Sequence, residues 1–337
     1  MIGIGKLLMA GSGGAGDATV AFVSVNPSGN AGIRSYDISD PTDITAISTF
    51  TSSDFGTSTG PSILLYDASA KIIYAVHSGT SKIVSVNVAN PSSMSQLDAL
   101  SLSGASENAV LDKANNRVVV SGSSRGASSG DRVFINISNP SSMSVSSTTN
   151  DGDFSSYVIS SSTFLRTDRG YEGIPNIVTS TLFSTQENDS EFFEATSYDL
   201  STKHDSLSGA TDFGGTTFNP STSQVRLGVA DFNRGYFFAA YNEGILVINV
   251  SDRTNLSGVK LIPASPSASS PLAKNQDIAI DRGADILYVA SANNDAISSV
   301  DVSNINNISI LDTLSDSDIS NPAVVLNIDD VHGTNAY

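Results

Sequence analysis

The chain of 337 residues has no cysteine and no tryptophan, only 11 prolines, and charged side chains at 15% of positions. Without cysteine there can be no disulfide frame, thiolate nucleophile or cysteine-ligated metal. The lack of tryptophan argues against the tryptophan-signature blades of WD-type repeats and against Trp-lined sugar platforms. Bases are also scarce, 17 against 34 acids for a formal net charge of -17, which argues against a nucleic-acid-binding surface. No stretch approaches the ~18 apolar residues of a membrane helix. The apolar run after Lys6 is four residues long, short of the ~7–15 of a secretory signal. There is no Gly-x-x-x-x-Gly-Lys phosphate loop and no Gly-x-Ser-x-Gly elbow in a strand-turn-helix context, and the glycines at 11–16 have no strand before them to make a dinucleotide site. The three histidines, His77, His204 and His332, are expected in a second strand, an outer turn and a first hairpin, where they do not converge.

What is abundant is self-similarity. The run from Val84 to Ser95, Val-Ser-Val-Asn-Val-Ala-Asn-Pro-Ser-Ser-Met-Ser, returns from Val133 to Ser144 as Val-Phe-Ile-Asn-Ile-Ser-Asn-Pro-Ser-Ser-Met-Ser, with looser copies at 36–42, 198–201, 248–252 and 300–304. The Asp or Asn of each copy falls at Asp37, Asn87, Asn136, Asp199, Asn249 and Asp301, with spacings of 50, 49, 63, 50 and 52. Six units of about 50 residues therefore use up the chain once a Gly-rich leader of roughly 18 residues is set aside. Within the second unit, apolar, β-branched runs at 63–67, 72–76, 83–88 and 97–102 are separated by Asp, Asn, Gly, Pro and Ser clusters. That is the pattern of four hairpin-linked antiparallel strands. Four strands per period is a propeller blade. The expected fold is thus all-β: a six-bladed β-propeller of four-stranded antiparallel blades over 19–337, with an N-terminal extension at 1–18. Residues 323–333 look like a first strand and 19–25 like a second, so the chain's two ends are expected to complete one blade and remove a free sheet edge.

Most of the repeated polar residues have a turn explanation. The Asp-Pro and Asn-Pro steps at Asp40, Asn90 and Asn139 suit turns with Pro at the second position, and Asp67, Asp112, Asp231 and Asp281 suit the reversal of each first hairpin. Three sets of residues stand out from this background. At the starts of the innermost strands, Ser62, Glu107, Asn108, Ser155, Ser156, Gln224, Arg226, Gln276 and Asp277 are placed near the axis. Of these, Glu107, Asn108 and Asp277 could give oxygen ligands to calcium, but three such residues are too few for a calcium site, polar residues at such positions commonly line a water-filled channel, and no cofactor is expected. The 63-residue spacing leaves some 13 extra residues between Leu165 and Phe192, a candidate partner-binding loop containing Arg166, Arg169, Tyr171 and Glu172. In the leader, Ile2, Ile4, Leu7, Leu8 and Met9 form an apolar set suited to anchoring.

The strand copies resemble the repeats of LVIVD-type propellers, bacterial surface and secreted proteins with a Val-Asp-Val-Ser-Asn-Pro-like third strand. That resemblance implies a binding or scaffold module and brings no functional residue with it. The leader is similar to the start of some tailed-phage virion proteins. Together these imply a non-enzymatic virion component of the tail or an attached adhesin. Its leader docks to other virion proteins in an oligomeric assembly, and its loops are free to meet a host-surface glycan or protein. The alternatives are a secreted or cell-surface glycan- or protein-binding propeller, and a calcium-dependent lactonase-like hydrolase. Neither nucleic-acid binding nor membrane insertion is expected.

Overall fold

A computed structural model describes residues 18–55, 60–77, 81–102, 108–123, 129–152, 156–159, 163–166, 171–176, 181–186, 192–196, 202–204, 225–231, 234–241, 244–249, 257–262, 272, 275–291 and 294–326. Among them the regular structure is β-strand with brief 3-10 turns, and no helix is long and apolar enough to cross a membrane. The strands form six four-stranded antiparallel sheets and one two-stranded sheet. Strand order in the first sheet is Ile319–Leu326, Val20–Val25, Gly32–Asp37, Thr45–Thr51, so the C-terminal strand is the first member of a sheet otherwise built from the N-terminal region. The second sheet is Ile63–Asp67, Ile72–His77, Lys82–Asn87, Ser95–Ser101. Four more sheets, spanning 108–152, 171–204, 225–262 and 275–315, repeat this meander.

The first strands of successive sheets lie side by side. Ile319–Leu326 touches Ile63–Asp67, which touches Asn108–Asp112, and on the other side it touches Asn275–Asp281, which touches Val225–Asp231. The second strands beside them are buried on both faces: VAFVSV, IIYAVH and ILYVAS have every residue buried, and therefore read as unbroken apolar runs rather than alternating ones. Fourth strands such as Thr45–Thr51 are largely exposed. The core accordingly lies in layers between neighbouring sheets. Phe22, Ile33, Leu64 and Ile73 pack between the first and second sheets, and Val76, Ile83, Val118 and Ile135 between the second and third. Val229, Phe238, Ile278 and Leu287 fill the space between the fifth and sixth, and Val23, Tyr36, Tyr288 and Ile297 that between the sixth and first.

The repeated motif explains how neighbouring sheets are registered. In the four described turns after the third strand, the Asx side chain accepts an amide two residues on: Asp40 from Thr42, Asn90 from Ser92, Asn139 from Ser141 and Asn304 from Asn306. The Ser39 and Thr42 hydroxyls, with their amides, hold the Asp37 and Asp40 carboxyls below the usual carboxylate range. The carbonyl of the following proline is then taken by the preceding sheet. Ser35 Oγ donates to Pro91 O at 2.8 Å, Ser85 Oγ to Pro140 O at 2.6 Å and Ser299 Oγ to Pro41 O at 2.5 Å. Each serine sits two residues before the Asp or Asn of its repeat and is fully buried. The third and fifth repeats have Phe134 and Val247 there, both buried; among the described residues the latch is seen at three seams. A second tie uses fourth-strand acids: Asp98 Oδ2 accepts from Met143 N at 2.6 Å and Asp312 Oδ2 from Ile44 N at 2.7 Å.

A one-residue bulge recurs in the fourth strand of five sheets, at Ile47, Leu97, Ser146, Val259 and Leu311, always opposite the same point of the third strand. Its recurrence marks it as part of the repeat, increasing local twist. The long fourth spacing has a different outcome from the loop expected there. Residues 156–159 and 163–166 form the two-stranded sheet, and the segment after it forms strands Tyr171–Asn176 and Thr181–Gln186 of a four-stranded sheet. The extra length is thus an additional hairpin, which lies between the third sheet's first strand and Tyr171–Asn176. The C-terminal strand also begins earlier than expected, at Ile319 rather than 323. His204 falls in strand Thr202–His204 and not in a turn.

Replacing Ser85 by Ala leaves the half-buried Pro140 carbonyl without its partner, and is expected to lower unfolding free energy by about 1 kcal/mol. Urea denaturation of the two proteins checks this. An unchanged midpoint would show that the latch adds nothing beyond the packing around it.

Candidate functional site at the starting ends of the first strands

The polar residues expected near the axis fall where the first strands begin. Asn108, Ser156, Val225 and Asn275 each open one of these strands. Ser62 immediately precedes another, its amide donating to Val76 O at 3.0 Å. Arg226, Gln276 and Asp277 follow within two residues of such starts. Glu107, Ser155 and Gln224 lie outside the described residues.

Of the three calcium candidates, Asp277 is the one whose side chain is described, and its chemistry is that of a clamp. It is 1% exposed. Its Oδ1 accepts from Ile278 N at 2.9 Å and its Oδ2 from Val324 N at 2.6 Å, so one carboxylate joins the first strand of the sixth sheet to that of the first. Burial pushes its carboxyl well above the usual range, outweighing the lowering effect of the Val324 and Ile278 amides. Among the described residues, no three His, Cys, Asp or Glu side chains converge as a metal site.

Around this clamp the strand register is irregular in a way not repeated in the other described first strands. In the sixth sheet Asn275 pairs with Ser291 but Asp277 with Ala290, which leaves Gln276 as an extra residue. In the first sheet Ile319 pairs with Val25 and Val324 with Val23, so residues 320–323 stand opposite Ser24 alone. In the fifth, Val225 pairs with Tyr241 and Gly228 with Ala239, so Arg226 and Leu227 stand opposite one residue. The first strands of the second, third and fourth sheets pair without any slip. Two buried polar atoms beside the slip in the first sheet, Ser24 Oγ and Asn26 Oδ1, have no hydrogen-bond partner. Gly60 lies so close to this strand end that a Cβ would meet Val25 O at 3.0 Å.

The strand that carries the 320–323 slip is held at its entry by a charged cluster. Arg34 donates to Asp316 and, at 2.6 Å, to Asp318 Oδ2, while its Nε donates to Thr49 Oγ1 at 2.6 Å and the Tyr36 hydroxyl donates to Asp316. Burial opposes the Arg34 charge, but the two aspartates outweigh it and raise its pKa. Burial and the Asp316 hydrogen bond raise that of Tyr36. Sequence reasoning missed this cluster, because Arg34 and Asp316 are 282 residues apart and belong to no motif.

The remaining sites of the sequence reading are placed as follows. Arg166 ends strand Thr163–Arg166, and Tyr171 and Glu172 open strand Tyr171–Asn176, so three of the four expected loop residues are strand residues. Arg169 and the leader set Ile2, Ile4, Leu7, Leu8 and Met9 lie outside the described residues. Ala18 is already part of the body: it is 3% exposed and its amide donates to Asp281 Oδ2 at 2.5 Å.

No protein-family model and no curated protein matches this sequence. Solved structures do match in fold. The periplasmic gluconolactonase PpgL of Pseudomonas aeruginosa has a TM-score of 0.66 at 10% identity, covering 91% of this chain and 99% of that one. A provisional 6-phosphogluconolactonase from Bacteroides uniformis gives 0.61 at 13% identity, covering 92% and 100%. A chain of a nidogen/laminin complex gives 0.51 at 10% identity, covering 94% and 100%. At these identities the likeness is one of fold, a β-propeller. Enzymes stand among these structures, against the direction of the non-enzymatic expectation.

Asp277→Asn retains one acceptor and places an amide group where Asp277 accepts a backbone N–H, at an expected cost of about 1–3 kcal/mol. The difference should depend on pH. With its folded-state pKa above the ordinary 3.8, Asp277 contributes stability that is fully present below that value and is lost as pH rises through the folded pKa. Thermal melts of both proteins from pH 4 to pH 9 should therefore show the wild type losing stability relative to the variant as pH rises. A constant gap would contradict the assignment.

Proposed function

We propose that the seven sheets form one closed β-propeller ring, with six full blades and the 156–166 hairpin as an abbreviated member. In this reading the ring is a rigid binding and structural module. The observation that carries it is how the described acids are used. Asp67, Asp112, Asp231 and Asp281 accept amides of their own hairpins, and Asp98, Asp277 and Asp312 accept amides of a neighbouring sheet. Their lone pairs organise backbone, which is the role of a scaffold, and they do not gather into an acid–base pair. Adjacency of the first strands and pairing of Ile319–Leu326 with Val20–Val25 support the ring. Residues 1–17 are the docking segment in this reading, on the strength of their sequence. Attachment to a virion or another oligomeric assembly is the role that best suits such a segment.

A second reading, hydrolysis of a sugar lactone, is favoured by the match to PpgL over nearly the whole of both chains. One pair of measurements separates the two. Native mass and co-purification are compared for the full chain and for a chain lacking residues 1–16, which keeps the Ala18–Asp281 bond. Hydrolysis of glucono-δ-lactone is then followed with both, with and without calcium. The scaffold reading expects assembly that depends on the leader and no turnover above background. Saturable turnover by the shortened monomer would replace it with the hydrolase.

A further inference from the structure

Features shared by the repeats serve packing, whereas a departure from them calls for another reason. The second sheet departs where His77 closes its second strand and pairs in register with Lys82, which opens the third. Lys82 stands five residues before the repeat's Asx; the same place holds Gly32, Asp131, Gly244 and Ala296 in the first, third, fifth and sixth sheets, paired with Val25, Gly122, Tyr241 and Ser291. A pair of bases is thus particular to the second sheet among these five. Basic side chains set directly opposite each other give a sheet no cross-strand attraction.

Alternation fixes the face on which they lie. Ile73 and Ala75 on the strand of His77, and Val84 and Val86 on that of Lys82, belong to the core between the first and second sheets. His77 and Lys82, in phase with them, therefore project into the same seam. From the first sheet Val20 and Phe22 enter that core, Ser24 follows at the same period, and Asn26 lies just past the strand's end. The two sheets meet there at one level: a Cβ on Gly60 would stand 3.2 Å from Ser24 Cβ, and the Ser62 amide donates to Val76 O, next to His77. Ser24 is fully buried, and its Oγ, like the buried Asn26 Oδ1, has no hydrogen-bond partner. Such orphaned groups carry a desolvation cost that a ligand can remove. His77 is 3% exposed. Lys82 is half-buried. Arg34, Lys113, Arg117 and Arg234 each meet an aspartate, but no ion pair joins Lys82 to an acid among the described residues.

From this juxtaposition we infer a ligand site in the seam between the first and second sheets, at the end where the first strands start, taking a small oxyanion that also carries a hydroxyl. The Lys82 ammonium, which only donates, supplies the charge-assisted bond to the oxyanion, with the His77 ring beside it. Asn26 Oδ1 only accepts, so the ligand must bring a donor. A hydroxyl pairs with it and also with Ser24 Oγ, which donates or accepts. The site goes beyond the scaffold reading and does not rest on it, since it needs two packed sheets and neither ring closure nor a docking leader.

The test is equilibrium dialysis of the full chain with labelled glycolate, which brings one carboxylate and one hydroxyl, in competition with acetate, ethylene glycol and inorganic phosphate. It is repeated with Lys82→Gln, Ser24→Ala and the exposed control Lys71→Gln, each also melted without ligand. The expected result is saturable binding of glycolate, with acetate and ethylene glycol each at least about tenfold weaker. Lys82→Gln should weaken it about tenfold or more, as the loss of a charge-assisted hydrogen bond. Ser24→Ala should weaken it as well, yet melt no lower than the wild type, because it removes a buried hydroxyl that has no partner. Lys71→Gln should leave it unchanged. Phosphate, which carries a protonated oxygen near neutral pH, should compete; its rank against glycolate tells a phosphate ligand from a carboxylate, and either order supports the site. A flat dialysis with an intact cooperative melt overturns the site, as does binding unchanged in both Lys82→Gln and Ser24→Ala, or weakened equally by Lys71→Gln. Acetate binding as tight as glycolate overturns the hydroxyl-recognising part, and a Ser24→Ala melt well below the wild type overturns the role of Ser24. Leader-dependent assembly is measured separately by native mass, so the scaffold reading stands or falls apart from this site.

Discussion

The structure depends on the joint between the two ends of the chain. Sheets buried on both faces need a neighbour on each side, and a linear stack of them would leave two apolar faces and a strand edge in water. Here Val20–Val25 takes its partner from Ile319–Leu326, so the first sheet cannot form until almost the whole chain has been laid down. The sixth and first sheets are then tied by several kinds of bond. Asp277 reaches Val324, Asp281 reaches Ala18, Asp312 reaches Ile44, Ser299 reaches Pro41 and the Tyr288 hydroxyl reaches Ile38 O at 3.4 Å. Arg34, between Asp316 and Asp318, fixes the turn by which the chain enters its last strand. Ser299 and Asp312 belong to the repeat, with counterparts in Ser85 and Asp98. Asp277 and the Arg34 cluster do not, and they belong to the joint.

The same division between repeated and unrepeated features orders the rest of the molecule. The Ser-to-Pro latch, the Asx turns and the fourth-strand bulges serve packing wherever they occur, and they explain why a chain with few charges still keeps aspartate at fixed places. Buried carboxylates are tolerated because each receives amides: Asp112, Asp231, Asp277 and Asp281 are at most 2% exposed and all are hydrogen-bonded. The surplus of acids over bases is therefore partly a structural inventory as well as a surface property. Departures from the repeat gather at the first-strand starts of the fifth, sixth and first sheets, where a rigid frame can carry irregular backbone without losing its layers.

Much of this architecture is legible in the sequence because it is local. Period, strand number and turn positions follow from apolar runs and Asx-Pro steps within about 50 residues of each other, and the pairing of the first and last strands follows from the incomplete units left at the two ends of the repeat. The polar starts of the first strands were legible for the same reason. The charged cluster at Arg34 was not, since its partners are separated by most of the chain. The hairpin at 156–166 was hidden as well. A surplus of residues in one period shows that something is inserted, but whether it pairs with itself or loops out depends on the space left by its neighbours.

The sequence by itself determined the repeated unit, its four strands and the chemistry of its turns, because these depend on steric and hydrogen-bonding preferences over a few residues. Only the tertiary structure decided what each buried polar group is for. Asp277 read alone is a candidate metal ligand. Set one sheet away from Val324, with each oxygen on a backbone amide, it is a clamp, and distance along the chain carries no information about that placement.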